Sequence, residues 1–345
     1  TGLWRPLGQR ALAAPVKAVQ QHLEVLLRSA STPVKLAAIR VATKLGIRES
    51  AEAAFGLVAD HEQPASVRAE ALQALWVFQS TRLAEAVQIA AGESDEALRK
   101  QAMKIEAQLK PSDAVARLRV VLETGSTGEK QNAFHTLGDV PAAAADEILC
   151  HWLEKLMAKQ VPTELQLDLL DAAGRRPSRE VKDKLAAFDR QRPAEDDLRA
   201  YRECLQGGNA EEGRKIFLER AEVSCVRCHK AGGDGGEVGP DLTGIGARQP
   251  REYLLESIVH PNKQIAAGFE NLLVTMKDGT VYAGLLKGED DAQIELNSPE
   301  DGLLKLRKAD IKSRDRGLSA MPEELRQVLD KQDLRNLIEF LSSLK

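Results

Sequence analysis

The chain has 345 residues, 43% of them hydrophobic and 29% charged, with a formal net charge of −4. That length suits two domains, and no run approaches the roughly 18 apolar residues of a membrane span. The negative balance offers no basic field for nucleic acid, and aromatics at 4% are too scarce to stack single-stranded bases.

In chain order, Thr1-Gly2-Leu3-Trp4-Arg5 has neither the basic start nor the apolar core of a signal peptide, so any signal sequence is expected outside this chain. The region that follows is rich in Ala and Leu, poor in Gly, and carries no strand pattern. Val34-Lys35-Leu36-Ala37-Ala38-Ile39, Val67-Arg68-Ala69-Glu70-Ala71-Leu72 and Leu98-Arg99-Lys100-Gln101-Ala102-Met103 superpose at a spacing of a little over thirty residues. Asn132-Ala133-Phe134 and Gln166-Leu167-Asp168-Leu169-Leu170 continue the register. Each unit has a second helix, such as Leu83 to Ala90 or Val115 to Leu122. Two helices per unit at this period predict an α-solenoid. A single unit cannot bury its apolar stripe alone, so neighbours are expected to stack. The stretch up to Arg192 allows five units, with Val16 to Leu27 as a half-unit before them. The Val-Arg-x-x-Ala-Leu style of the first helix resembles a HEAT repeat.

Pro193, in the charged stretch Arg190 to Asp197, breaks the helical pattern and predicts two domains, 1–194 and 195–345. Leu198 to Gln206 is expected to be a linking helix ended by Gly207-Gly208. Asn209 to Phe217 then reads as a short helix, and the small-x-x-Gly spacing of Ala210 and Gly213 lets it pack closely on another helix.

The five residues Cys225-Val226-Arg227-Cys228-His229 carry the most chemistry. C-x-x-C-H is the attachment signature of a c-type haem. Two thiols one helical turn apart can add across the two vinyl groups of one haem, and the histidine that follows faces the iron as its proximal ligand. A thioredoxin-like pair would need a βαβ context, which is missing here. A structural zinc site would need two more Cys or His ligands. Cys150 and Cys204 lie upstream at spacings that suggest no finger, and His260 is the only downstream histidine. Cys150 and Cys204 read as buried cysteines of separate helices, a disulfide between them being left open. Gly232, Gly233, Gly235 and Gly236 lack the strand–loop–helix context of a phosphate cradle and are expected to let backbone wrap the haem edge.

Arg251 to Val259 reads as a helix ending at His260-Pro261. Asp278-Gly279 between two β-prone runs is a hairpin signal. With Gln293 to Leu296, Leu303 to Leu306, the turn Asn297 to Gly302 and a last strand from Ile311, it predicts an antiparallel insertion of four or five strands at about 269–317. An SH3-like small barrel fits that pattern, and shielding the haem, meeting a partner or stiffening the loop are its open roles. Ser319-Ala320-Met321-Pro322 follows, its proline suited to the first turn of a helix. Asp333 to Leu341 is an amphipathic closing helix. Glu323 and Glu324 are no acid–base pair, because adjacent helix positions point in different directions.

These pieces resemble, in order, a class I cytochrome c. More closely they resemble the planctomycete-type haem-binding cytochrome c family, with G-x-x-x-x-G-x-x-x-F, C-x-x-C-H, G-G-x-x-G-P-x-L and S-x-M-P over about Leu205 to Lys345. The family's glycine after Met-Pro is here Glu323-Glu324, and acidic residues there suit a helix dipole. The resemblance implies one covalent haem c bound by Cys225, Cys228, His229, Met321 and Pro240. His229 and Met321 would be the iron ligands, with the Pro240 carbonyl accepting the second ring N–H of His229 and fixing its tautomer. His260 and Met276 are the competing sixth ligands; a helix-end role and a strand-core role account for them otherwise.

The expected fold class is multidomain: an all-α HEAT-like solenoid, then an α-helical class I cytochrome c fold with an inserted small antiparallel β barrel or sheet. The expected function is one-electron transfer, as a carrier rather than an enzyme in its own right. The resemblance implies a periplasmic location, since haem is joined to this motif outside the bacterial cytoplasmic membrane. It implies a sugar or alcohol dehydrogenase as donor, in some cases a propeller domain of the same gene product, and a downstream cytochrome as acceptor. Two other functions stay open: a labile Met321 that leaves iron free for peroxide or a small gas, and a solenoid whose docking of proteins is the main role.

Overall fold

Residues that favour a first helical turn set the helix starts in the first half of the chain. Asp95 accepts from Leu98 N, Ser126 and Glu129 form a reciprocal capping box, and Pro111 opens a helix where its missing N–H costs nothing. The computed structural model describes residues 13–236, 238–298 and 301–345. The expected leader reading at Thr1 to Arg5, Glu237 of the Gly-Gly stretch, and Pro299 and Glu300 of the expected turn lie outside the described residues.

Helix α1 (Ala13–Leu27) precedes the pairs α2 (Thr32–Leu45) with α3 (Ala51–Ala59), α4 (Ala65–Phe78) with α5 (Leu83–Ala91), α6 (Glu96–Leu109) with α7 (Pro111–Thr124), α8 (Thr127–Asp139) with α9 (Ala143–Met157), and α10 (Thr163–Arg175) with α11 (Arg179–Gln191). Helix α2 packs on α4, α4 on α6 and α6 on α8, while α3 packs on α5 and α7 on α9. In these pairs one apolar stripe is covered by the matching helix of the next pair, and Val58, Val67, Leu72, Leu75 and Leu98 are buried completely. Side-chain bonds repeat with the same period. Arg40–Glu70, Arg99–Glu129, Arg176–Asp146 and Lys184–Glu154 each join residues 30 positions apart. The exposed pairs contribute little to stability. Arg68 and Arg176 are buried, and each guanidinium also donates to backbone carbonyls, Val58 O at 2.9 Å and Ala142 O at 3.2 Å, so neither charge is left uncompensated.

The chain divides into two units, Thr1–Lys159 with Asp168–Phe188, and Gln160–Leu167 with Asp189–Lys345. The short segment Gln160–Leu167 goes with the second unit for visible reasons. A Cβ on Gly207 would stand 2.5 Å from the Glu164 carbonyl oxygen, so the two backbones touch, and Leu167 is buried in one cluster with Leu198 and Cys204.

The linking helix expected over Leu198 to Gln206 does not form. The segment is turns ending in a single 3-10 turn, Arg202–Leu205. Leu198 and Cys204 are both buried, yet six positions along an α-helix would place them about 120° apart. Asp196 stabilises the tighter path, accepting from Leu198 N at 3.1 Å and from Arg202 Nε at 2.8 Å.

The second unit is built on α12 (Ala210–Glu219), α13 (Cys225–Cys228), α14 (Ile245–Arg248), α15 (Arg251–Val259), α16 (Leu325–Val328) and α17 (Lys331–Ser343). Asn209 caps α12, and Asp330 with Asp333 forms a capping box on α17. The two helices cross at Gly213, where Phe217 and Phe340 meet with ring centroids 5.6 Å apart. A Cβ on Gly213 would lie 2.0 Å from Asn336 O. Alanine is intrinsically better than glycine in a helix by about 1 kcal/mol. Because the obstacle is backbone, overpacking of about 1–3 kcal/mol or more is expected to outweigh that gain. Gly213→Ala should therefore lower the thermal midpoint; a midpoint that rises would mean the helices do not approach this closely.

Between α15 and α16 lies the insertion, after a small hairpin, β1 (Lys230–Ala231) and β2 (Asp234–Gly235), near the start of the unit. The insertion is a five-stranded antiparallel sheet of β3 (Asn271–Met276), β4 (Val281–Glu289), β5 (Gln293–Ser298), β6 (Gly302–Arg307) and β7 (Ile311–Arg316), in spatial order β6-β5-β4-β3-β7. The last strand returns beside the first, with Leu272 opposite Arg316. Its own core is Val274, Ile294, Leu296 and Leu306, with Met276 and Ile311 packed against them. Among the described residues β6 and β7 are its edges, so the hydrogen-bond ladder is open rather than closed into a barrel.

Candidate functional site

Helix α13 is a single turn. Ser224 enters it at φ +46, a left-handed conformation uncommon for serine, and reverses the chain. Residues three apart on a helix share a face, and Cys225 and Cys228 both line one cavity of about 350 Å³. His229, directly after the turn, lines the same cavity.

The loop Gly239 to Leu242 holds the imidazole. Gly239 N donates to Cys228 O at 2.8 Å and Leu242 N to Lys230 O at 2.8 Å, so the loop is stitched to the chain on either side of His229. His229 Nδ1 stands 2.9 Å from Pro240 O. A carbonyl oxygen only accepts, so Nδ1 carries the proton and Nε2 keeps its lone pair. Gly239 lies flat against the ring, since a Cβ there would stand 2.6 Å from Cε1. Burial lowers the His229 pKa, opposed by the bond to Pro240. Burial also pushes the Cys225 thiol up to about 11, so it is an uncharged thiol at neutral pH.

The far wall comes from two segments distant in sequence. One is Pro261 to Phe269, following α15; the other is Ser319 to Pro322, following the sheet. Met321 lines the cavity with His229. The alternative ligands are elsewhere. His260 caps the end of α15 with Nε2 donating to Asp197 O at 3.1 Å. Met276 packs against the core of the sheet. Cys150 and Cys204 are buried, lie one in each unit and form no disulfide among the described residues.

Glycines 232 and 233 are not among the residues lining the cavity. They form the turn of the β1–β2 hairpin at φ +72 and +101, the positive values that such tight turns require. Gly236 N, just beyond, donates to Val226 O at 2.9 Å and ties the hairpin to α13. The contribution of Asn262, whose side chain meets the Met321 loop, is invisible in the pattern of motifs; it depends on a contact across 57 positions.

Among the described residues no three His, Cys, Asp or Glu side chains converge on a metal site. Two cysteine sulfurs, a thioether and an imidazole whose Nδ1 is bonded to a carbonyl line one largely apolar cavity, a set that fits a covalently held haem. Among known families, residues 210–295 match the model described as Cytochrome c. The match spans α12, the C-x-x-C-H turn and the proximal loop and ends within β5, short of Met321. It supports a cytochrome c domain in the second unit, with covalent haem c and a haem-based electron-transfer role. No curated protein matches the chain. No helix among the described residues is long and apolar enough to cross a membrane.

Proposed function

We propose that the chain is a one-electron carrier with His/Met axial ligation. Cys225 and Cys228 would hold one haem by thioether bonds, and His229 and Met321 would ligate its iron. Haem, when bound, supplies a metal centre that gains and loses one electron without making a substrate bond. The protein's part is to keep both ligands in place and water away. Pro240 orients His229 through Nδ1, which raises the basicity of Nε2. A thioether is a soft ligand that favours the reduced metal, so Met321 sets the potential higher than a second imidazole would. The observation that carries this reading is that His229, anchored on Pro240, and Met321 face one cavity together with both thiols.

The packing of α2 on α4, α4 on α6, α6 on α8, α3 on α5 and α7 on α9, with the 30-residue period of ion pairs, supports a HEAT-like solenoid. The motif order supports a class I fold of planctomycete type, and the strand order supports an SH3-like sheet within it. We read the solenoid as a docking surface for redox proteins, a periplasmic dehydrogenase as donor and a cytochrome as acceptor. A spectroscopic redox titration of the haem-loaded protein tests the carrier reading. One reversible transition with a slope of about 59 mV per decade is expected, and carbon monoxide should leave the reduced spectrum unchanged. Immediate carbon monoxide binding would favour the gas- or peroxide-binding alternative.

A further inference from the structure

We infer that Asn262 is the positioning residue of the distal side, a clamp whose side chain holds the loop that delivers Met321. The inference rests on the His/Met reading above. Asn262 lies between two stretches of the same cavity wall: Pro261, Gln264 and Ile265 on its own segment, and Ser319 to Pro322 on the loop. Its Oδ1 accepts from Ser319 N at 2.7 Å and its Nδ2 donates to Glu323 Oε1 at 2.5 Å. Those partners sit on either side of Met321. Within the clamped span the loop is closed by Met321 N donating to Ser319 Oγ at 3.1 Å.

The chemistry selects the residue type. A backbone N–H only donates and a carboxylate only accepts, so a single side chain serving both must accept with one atom and donate with the other. A carboxamide of this length does so, and the same constraint fixes which way the amide points. The bond to Ser319 is partly buried whereas the bond to Glu323 is exposed, so the acceptor arm is the stronger of the two.

The base of the loop is tied separately. Asn271, first residue of β3, accepts from Gly317 N at 2.7 Å through its carbonyl and donates Nδ2 to Leu318 O at 2.7 Å. The sheet thus fixes where the loop starts, and Asn262 fixes how it faces the cavity. A six-coordinate centre with a flexible thioether needs such a restraint, because methionine has three rotatable bonds and little shape of its own.

The test compares Asn262→Ala, Glu323→Ala and Met321→Ala in the haem-loaded protein. Three readouts are followed: the long-wavelength sulfur–iron band of the ferric form, carbon monoxide binding by the ferrous form, and hydrogen exchange at the Met321 amide. Asn262→Ala removes both arms. It should raise the open-loop population, read as carbon monoxide binding and as Met321 amide exchange, by about tenfold, the factor expected for one lost hydrogen bond of this kind. Exchange in α17 should stay unchanged. Glu323→Ala removes only the exposed arm and leaves the Asn262 acceptor for Ser319 N, so it should stay close to the parent protein. If Met321→Ala abolishes the band while Asn262→Ala matches the parent in all three readouts, the clamp is overturned and the ligand reading stands. If Glu323→Ala is as open as Asn262→Ala, the acceptor arm is not what holds the loop, and the inference fails. If Met321→Ala changes neither band nor carbon monoxide binding, the ligand reading fails and takes this inference with it.

Discussion

Denaturing the haem-loaded protein in acid and acetone is expected to leave the haem on the polypeptide. Non-covalent binding disappears when the cavity unfolds, because it depends on His229, Met321 and apolar walls that are brought together only by the fold. Thioether bonds do not depend on the fold. Cys225 and Cys228 are placed for them by one turn of helix, with His229 N donating to Cys225 O at 3.0 Å to extend that turn up to the ligand. Replacing both thiols, Cys225→Ala with Cys228→Ala, should convert full retention into full extraction. Cys225→Ala alone should leave a singly bonded or haem-free product, distinguishable by the visible spectrum of the denatured chain. Clean extraction from the parent protein would mean that neither sulfur is bonded, and the covalent reading would fall.

The sequence carries the local parts of this arrangement because they are local. The thiol spacing of Cys225 and Cys228 needs only one helical turn, and the Asp278-Gly279 hairpin needs only a positive φ, which Gly279 adopts at +93. Helix pairs are legible because a stripe repeated at a fixed period must be covered by the next copy of itself. What escapes the pattern is tertiary. Leu198 to Gln206 has helical composition, but burying Leu198 and Cys204 on one side forces a tighter path. Gln166 to Leu170 continues the repeat register, yet Gln160–Leu167 belongs to the second unit, where Glu164 backbone closely approaches Gly207. Asn262 belongs to no motif, and only the folded chain brings it to Ser319. The site is therefore readable as a set of donors, while the restraints that aim those donors are not.

Met321→Ala should have the largest effect of any single substitution on the electronic properties of the site. Three side chains competed for the sixth position on sequence grounds, and their surroundings separate them. Met321 shares a cavity with His229. His260 does not line that cavity, and its Nε2 donates to Asp197 O at the end of α15. Met276 is packed among Ile294 and Leu296 in the core of the sheet. Loss of the Met321 thioether should abolish the sulfur–iron charge-transfer band and open the ferrous iron to carbon monoxide. It should also lower the potential, because the soft ligand that favours the reduced metal is gone. His260→Ala and Met276→Leu should do none of these; Met276→Leu keeps side-chain volume and should cost less than about 1.5 kcal/mol of stability. A spectrum unchanged by Met321→Ala but altered by His260→Ala would show a bis-histidine centre. The potential would then be lower than a thioether gives, and the loop that Asn262 holds would have some purpose other than ligation.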